Sequence, residues 1–505
     1  MKINSLCILG GVTSGFIVSS IFAKYREASG LDFDIKLIHS DKIGSIGVGE
    51  STIFNINELL SYLELDDSDW MKECNATYKS SIRFENFYKI GRHFHYPFGV
   101  SDEFASGEQW MVIKEFFPDI VTPERATLYF NPLSILSVEN KLTDEDNYLK
   151  NNTAYHFDSG LVGKYLKRYS EEKGVEIIED KFYGTEQDKY GNIESIVCDN
   201  GTYRGDFFVD CSGFKSLLLG GVMGEDFIDF GDTLINNKAL VAKIPYTDKE
   251  KQLKNYTNCV ALKNGWCWEI PLWDGLSVGY VHTNMFASEE EIEEEFFEYV
   301  GDVDYKTINY RSGRYKNGWV KNVAAIGLSY GFVEPLESTS IATTLDNTFH
   351  LLDSLSKRDM FCTRIDKDSF NFAVGGKLDR YRNFIAMHYY LSSRDDSEYW
   401  QYVTENIDYG SEIYEETLRD LVIDRKLDYM VPDCNSNNSF RGDLFVAAGM
   451  NYSCFSKAFS MHSGKDVPDT YDTEKLEKHM ENLKLKSESY PSTYEYLKST
   501  IYKTL

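Results

Sequence analysis

The chain opens on an apolar run, SLCILGGVTSGFIVSSIFAKY over residues 5–25, that admits two incompatible readings. With Lys2 ahead of it, the run has the outline of a secretory or membrane segment; divided by its glycines, it has the outline of a strand, a turn and a helix. A span needs roughly 18 to 20 nearly uninterrupted apolar residues, and a secretory segment needs a short apolar core before a small-residue cleavage site. Here Gly10, Gly11, Thr13, Ser14, Gly15, Ser19 and Ser20 interrupt the run, and Lys24, Tyr25, Arg26 and Glu27 follow it at helical spacing. The next apolar stretch, FDIKLIHSD at 33–41, puts Ile35, Leu37 and Ile38 in a second buried strand. Strand, glycine turn, helix and strand make a βαβ unit of the dinucleotide-binding kind.

Alternation of period two predicts further strands in YKSSIRFENFY (78–88), GTYRGDFFVDCSG (201–213), WCWEIPLWDGLSVGYVHT (266–283) and VKNVAAIGL (320–328). Helical periodicity runs through GLVGKYLKRYSEEKGVEIIED (160–180), with Leu161, Tyr165, Leu166 and Tyr169 on one side, and through LDRYRNFIAMHYYLSSR (378–394). LLLGGVMGEDF (217–227) has the glycines of a second dinucleotide turn, but Glu225 and Asp226 would repel a pyrophosphate there, so it reads as a loop. From about residue 464 the chain is highly charged, and EKLEKHMENLKLKSE reads as a solvated amphipathic helix. The first three-fifths therefore mixes strands with helices, and the remainder is mostly helical.

The glycines in GGVTSG have a physical purpose. A pyrophosphate lies against backbone amides at a helix N-terminus, where a Cβ would hold it away. Two features depart from the usual pattern. Val12 stands at the middle glycine, and His39 stands where an acidic residue normally holds a ribose hydroxyl. On these residues alone, a phosphate cradle and a purely structural turn both remain open.

Composition narrows the class. At 505 residues and 42% hydrophobic content the chain is long enough for two or three lobes around a large core. A formal net charge of -27 argues against nucleic acid and against anionic membrane as partners. Nine cysteines without a CxxC pair suit reduced thiols and a cytoplasmic location better than a disulfide framework or a zinc site. His93 and His95 in GRHFHYPFG share one face of a strand, without metal-ligand spacing elsewhere, so no metal is expected.

Several further stretches resemble the flavin-dependent halogenases of the tryptophan-halogenase type. IGVGEST (46–52) is similar to the family's strap beside the flavin, and DCSGF (210–214) to its second flavin-contacting turn. WCWEIP (266–271) fits the W-x-W-x-I-P signature, GFVEPLESTSI (331–341) the GFVEPLESTGI segment, and MHYYLSSRDDSEYW (387–400) a later helical segment. These matches keep the family order from residue 10 to about 400. The resemblance implies an α/β fold: an FAD-binding, flavin-monooxygenase-like box module with a Rossmann-type βαβ start, and a mainly helical C-terminal substrate subdomain. Residues 1–90 and 150–370 would form the FAD module, and 90–150 and 371–505 the substrate side.

The resemblance also implies the chemistry. FADH2 from a separate flavin reductase, with O2 and halide (chloride, bromide or iodide) as co-substrates, yields hypohalous acid that halogenates a small electron-rich aromatic substrate. The cofactor carries the oxidation, and the protein separates and steers the reactive species. Cofactor contacts would come from Gly10, Gly11, Thr13, Ser14, Gly15, His39, Gly47, Val48, Gly49, Glu50, Asp210, Gly213, Gly327 and Ile341. Trp266, Trp268, Ile270 and Pro271 would shield the activated flavin from simple monooxygenation.

Lys79 matches the family's catalytic lysine in K-x-G-I-x-F, with Ser81 in place of the glycine. An ammonium of unperturbed pKa about 10.4 is a strong donor to an oxidised halogen, and a desolvated amine can form a haloamine instead. Glu337 matches the family glutamate expected opposite that lysine; a carboxylate stabilises the cationic ring intermediate and takes its proton. Ser338 would link the two sites. The halide would lie on the amides of Thr339 and Ser340, at the start of a helix near Ile341. Ser340 replaces a family glycine, and would be strained if that backbone needs positive φ.

Phe87, Tyr88 and Phe98 lie near Lys79 in sequence, and Tyr452 and Phe455 are candidate stacking residues for the substrate. A flavin-dependent hydroxylase and a non-catalytic flavin-binding protein are the alternative functions. Substrate identity, preferred halide, regiochemistry and reductase partner cannot be read from the sequence. Oligomeric state is equally open, a homo-oligomer included.

Overall fold

The computed structural model describes residues 1–40, 49–99, 122–407, 409, 446, 449–451 and 474–503. Internal contacts divide the chain into two units. The first comprises Met1–Ala76, Phe157–Gly231 and Tyr310–Asp379, and the second Thr77–His156, Asp232–Asn309 and Arg380–Leu505.

In the first unit the strand Ser5–Leu9 is flanked by Asp34–His39 on one side and Phe207–Asp210 on the other, both parallel to it. Glu176–Glu179 extends the sheet beyond the former, and Val323–Ala325 and Trp319–Val320 extend it beyond the latter. Leu6, Cys7, Ile8, Phe207, Phe208 and Val209 are fully buried, as a central strand covered on both faces requires. The strand order reverses direction at Ser5–Leu9, and such a switch point opens a crevice at the C-terminal strand ends.

The helix Val12–Ser29 buries Phe16, Ile17, Val18, Ile21 and Phe22, and ends at Gly30, whose left-handed φ of 67° and N–H bond to the Arg26 carbonyl close its last turn. Ser19 and Ser20, which broke the apolar run, have a structural use: both hydroxyls meet Ser170 Oγ, at 2.8 and 3.0 Å. Ser170 belongs to the helix Ser159–Glu172, capped by Asp158.

Two expected elements are corrected. Helical periodicity over 160–180 overruns the helix, which stops at Glu172; Gly174, at φ 76°, turns the chain and Glu176–Glu179 becomes an edge strand. The stretch 217–227 is not a loop. Leu217–Val222 forms a wide helical turn that buries Leu218 and Leu219, and Phe227–Asp229 is a strand. No described helix is long and apolar enough to cross a membrane. The described cysteines are free and buried.

The second unit is built on a seven-stranded sheet in the order Lys306–Asn309, Lys238–Ile244, Gly275–His282, Gly265–Leu272, Tyr256–Ala261, Ser81–Glu85 and His93–Pro97. One face carries Leu240, Ala242, Cys267, Val278 and Tyr280 against Ile292 and Phe296 of the helix Glu289–Val300. Each of those two helix side chains, buried completely, contributes about 1.5–3 kcal/mol. A capping box of Ser288 and Glu291 starts that helix. Side chains alternate across a strand, so Trp266 and Trp268 stand on the opposite face from Cys267. The charged segment forms the helix Glu474–Glu488, followed by Thr493–Thr500.

Candidate active site

The glycine turn lies at the C-terminal end of Ser5–Leu9. Gly10, at φ 106°, donates its N–H to the Ile38 carbonyl at 2.8 Å, and Cys211 donates to Leu9 at 2.8 Å, so the ends of three parallel strands are held together. A Cβ on Gly10 would come within 2.2 Å of the Cys211 oxygen, and one on Gly15 within 1.9 Å of the Gly10 oxygen. Close packing alone therefore demands these glycines. The helix that follows has no acid in its first turn and no side-chain cap, which leaves its leading amides for an anion. Val12 keeps the glycine-type backbone at φ 54°, a genuine strain for a β-branched residue, with its side chain 43% exposed.

His39 ends the neighbouring strand. It is buried, its ring edge-on to Phe16 at 5.7 Å, with Lys167 Nζ 3.4 Å from its Nε2. Asp210 ends the strand on the other side. Its oxygens accept from Ser212 N and Oγ and from the amides of Leu218 and Leu219, at 2.6–3.0 Å. That carboxylate organises the turn bearing Gly213, and burial raises its pKa despite the four bonds. Gly327, at φ 64°, lets Ser14 and Thr344 approach; a Cβ there would lie 2.8 Å from both hydroxyl oxygens.

Pro335–Glu337 is a tight turn that leads through Ser338 into the helix Thr339–Ser356, with Glu337 buried. Ser338, not Ser340, adopts positive φ, at 56°. Ser340 lies in the right-handed helix, so the backbone at the family-glycine position does not need positive φ and the serine is not strained there. Ser338 does not cap the helix; its hydroxyl donates to Ser51 Oγ at 3.0 Å instead. The first turn contains no acid, and Thr339 Oγ1 is buried without a hydrogen-bond partner among the described residues. An uncapped N-terminus of an 18-residue helix, with a buried spare hydroxyl, suits a small anion. Ile341 is buried one residue further on.

Gly49, Glu50 and Ser51 form a short strand. Glu50 is half-buried, and desolvation pushes its carboxyl up to about 7. Gly47 and Val48 lie outside the described residues, as do Tyr452 and Phe455.

In the second unit Lys79 ends the strand Thr77–Lys79, which pairs antiparallel with Ala154, Tyr155 and His156. The side chain is 0% exposed, with Nζ 5.2 Å from the centre of the Phe98 ring. Burying an ammonium costs on the order of several kcal/mol, so a lysine kept there points to function. The Thr77 hydroxyl donates to the Pro271 carbonyl at 2.6 Å and stands 3.1 Å from His156 Nδ1, whose Nε2 meets Thr257 Oγ1 at 2.9 Å. Since Thr77 spends its proton on Pro271, His156 donates through Nδ1. Burial first, and then the charge of Lys79, holds that imidazole well below its usual pKa and neutral. Thr77, His156 and Thr257 had no signature in the sequence.

Ser81 uses the hydroxyl that the glycine pattern would lack. It lies 2.9 Å from His95 Nδ1 and 2.6 Å from Ser137 Oγ, all three buried. Trp266 and Trp268 lie on one face, ring centres 6.2 Å apart, and neither indole N–H has a partner among the described residues. Gly279 opposite makes room for Trp268, because a Cβ there would sit 2.0 Å from its ring. Ile270 and Pro271 complete the buried strand end. Phe87 packs into an aromatic core with Phe84, His388 and Trp400 at 5.5–6.5 Å, while Tyr88 accepts from Asn451 through its hydroxyl.

A glycine-turn cradle at the switch point of a parallel sheet defines a dinucleotide-binding fold. The family model described as tryptophan halogenase matches residues 5–420, and the chain belongs to that family. It is a flavin-dependent halogenase, as the sequence led us to expect. It is 35% identical to the 7-chloro-L-tryptophan 6-halogenase KtzR of Kutzneria sp. (strain 744), over 78% of this chain and 81% of that protein. It is 33% identical to the tryptophan 7-halogenase RebH of Lentzea aerocolonigenes, over 79% and 78%. The solved apo structure of VirX1 superposes with a TM-score of 0.89 at 35% identity, covering 100% of both chains.

Proposed function

We infer that the first unit binds FAD and halide and that the second carries the lysine that delivers halogen to an electron-rich aromatic substrate. The buried Lys79, on a strand bonded to the Pro271 end of the tryptophan signature, carries this reading. The residues fit the cofactor. The uncapped amides after Gly11, at the N-terminus of a helix with no acid in its first turn, suit a pyrophosphate.

Bound FADH2, with O2 and halide, supplies an oxidised halogen equivalent to hypohalous acid. Thr339 and Ser340 hold the halide through their amides. Lys79 either donates a hydrogen bond to the hypohalous oxygen or, as the free amine, takes the halogen to nitrogen and releases water. Transfer to carbon gives a cationic ring, and Glu337 accepts the proton lost from that carbon. Overall an aromatic C–H and hypohalous acid become a C–X bond and water. Trp266 and Trp268 keep the substrate from being oxygenated.

A separate reductase would supply the reduced flavin, and the buried free thiols support a reducing, cytoplasmic setting. The similarity to the tryptophan halogenases KtzR and RebH makes tryptophan the first substrate to test. The test is mass spectrometry of reactions with FAD, a flavin reductase, NADH, oxygen and a panel of tryptophan, indoles and phenols, run separately with each halide. A halide-dependent mass gain with the halogen's isotope pattern is expected. Hydroxylated products in its place would refute the reading.

A further inference from the structure

The family model stops at residue 420, yet the helix Thr493–Thr500 reaches the peptide next to Lys79 through an unbroken set of hydrogen bonds. Thr493 donates its N–H to the Asn140 carbonyl at 3.1 Å and its hydroxyl to Asn140 Oδ1 at 2.9 Å. Asn140, at the left-handed φ of 53° that asparagine tolerates, turns its amide toward the segment 253–255. Its Nδ2 donates to the Leu253 carbonyl at 3.0 Å, and its Oδ1 accepts from the Asn255 N–H at 3.0 Å. Asn255 is fully buried, and its Nδ2 donates back to the carbonyls of Leu136 and Lys141 at 3.2 and 3.0 Å. The Asn255 carbonyl then accepts from the N–H of Ser80, at 2.6 Å. On the other side of the same peptide unit pair, the Ser80 carbonyl accepts from Phe98 N at 3.0 Å.

The helix is seated independently of this relay. Ser492 and Glu495 form a capping box, and Leu142 donates to the Pro491 carbonyl at 3.3 Å. Tyr502 stacks on Trp273 at 3.9 Å, with Tyr494 parallel at 5.9 Å. Tyr496 packs edge-on against Tyr78 at 6.1 Å. Tyr78 is the residue before Lys79, and alternation sends its ring to the opposite face of the strand. The C-terminal helix thus supports the lysine strand from behind and through the peptide that follows it.

We propose that Asn140, Asn255 and Thr493 are positioning residues for Lys79, so that the C-terminal helix sets how efficiently halogen is delivered to substrate. This rests on the role of Lys79 inferred above. Ser80 has its backbone fixed at both N–H and carbonyl, which leaves the Lys79 Cα little freedom to drift. Releasing the relay lets the amine sample geometries that miss the substrate, and misplacement on the scale of 1 Å costs up to about 100-fold in rate. Flavin turnover, performed by other residues, stays as it was.

The experiment measures a ratio: halogenated aromatic product per hypohalous acid made. The acid is followed in parallel by bleaching of a 1,3-diketone trap, and the product by chromatography with the panel substrate the intact enzyme converts fastest. Both quantities scale with the folded fraction, so their ratio is insensitive to partial unfolding. Thr493→Val, which keeps shape and the backbone bond, should lower the ratio about threefold, and Asn140→Ala about tenfold. Thr493→Ser should restore the intact ratio. Intact ratios in both Thr493→Val and Asn140→Ala would overturn the proposal, and so would Thr493→Ser failing as badly as Thr493→Val. Lys79→Ala, run beside them, separates the two layers: product retained by that variant refutes the role of the lysine itself.

Discussion

The hydroxyl of Thr77 donates to the carbonyl of Pro271 at 2.6 Å, which bonds the strand of the buried lysine to the strand that carries the two signature tryptophans. His156, held neutral by burial and by the nearby Lys79 charge, supports that hydroxyl from the other side. Two sequence motifs that the family resemblance lists separately are thus parts of one buried hydrogen-bonded assembly.

Thr77→Val keeps the shape of the side chain and removes the bond. It leaves the Pro271 carbonyl and His156 Nδ1 without that partner, so a loss of about 1–3 kcal/mol is expected in urea unfolding. A change below the precision of the denaturation curve would mean that the bond is incidental.

Val12 holds a backbone conformation that costs a β-branched residue about 1–3 kcal/mol, whereas glycine there loses about 0.5–1 kcal/mol more chain entropy on folding. Val12→Gly should therefore raise the melting temperature by about 1–3 °C. It should also tighten FAD binding in a fluorescence titration, because the side chain at the cradle is removed. A lower melting temperature would show that the valine is better accommodated than its φ of 54° implies.

At the helix that starts at Thr339, the two residues should behave differently. Thr339→Val removes the buried hydroxyl that has no partner among the described residues, and should raise the halide KM severalfold with little change in FAD binding. Ser340→Gly relieves no strain, since Ser340 is helical, and costs up to about 1 kcal/mol in helix propensity. Steady-state halogenation against bromide and chloride concentration, with a thermal melt, checks both. Stabilisation by Ser340→Gly would contradict the helical placement.

Glu50 gives a pH signature. Its carboxyl is pushed from the ordinary 4.5 up to about 7 by desolvation, so between those values the folded chain binds more protons than the unfolded one. Stability contributed by this site therefore falls as pH rises through about 4.5 to 7, and is unaffected below that window. Glu50→Gln removes the term. In urea unfolding of the flavin-free protein, the variant should gain on the intact chain between pH 5 and pH 8. An equal difference at both pH values would contradict the raised pKa.

The βαβ start was legible because glycines interrupt an apolar run at spacing that a membrane span does not tolerate, and Ser19 and Ser20 proved to be helix-packing residues bonded to Ser170. Whether Ser340 is strained stays conditional on the sequence alone, because the sequence does not say which residue of EPLESTS takes the left-handed turn; Ser338 does, and Ser340 is helical. Helical periodicity continued through Glu176–Glu179 because a short Glu-Ile-Ile-Glu edge strand, without period-two alternation, reads equally well as a charged helix end. The assembly around Lys79 had no local trace. Thr77 meets His156 and Pro271 across 79 and 194 residues of chain, and Asn140 meets Thr493 across 353. Contacts of that range arise only once the sheet is assembled.

The most direct measurement compares intact enzyme with Lys79→Ala, supplied with reduced FAD, oxygen and bromide, and follows trapped hypobromous acid and brominated aromatic product together. The expected result is unchanged acid formation with product reduced at least about 100-fold in the variant, as for removal of a group that acts on the reacting atoms. Product formed by Lys79→Ala at the intact rate would contradict delivery through Lys79.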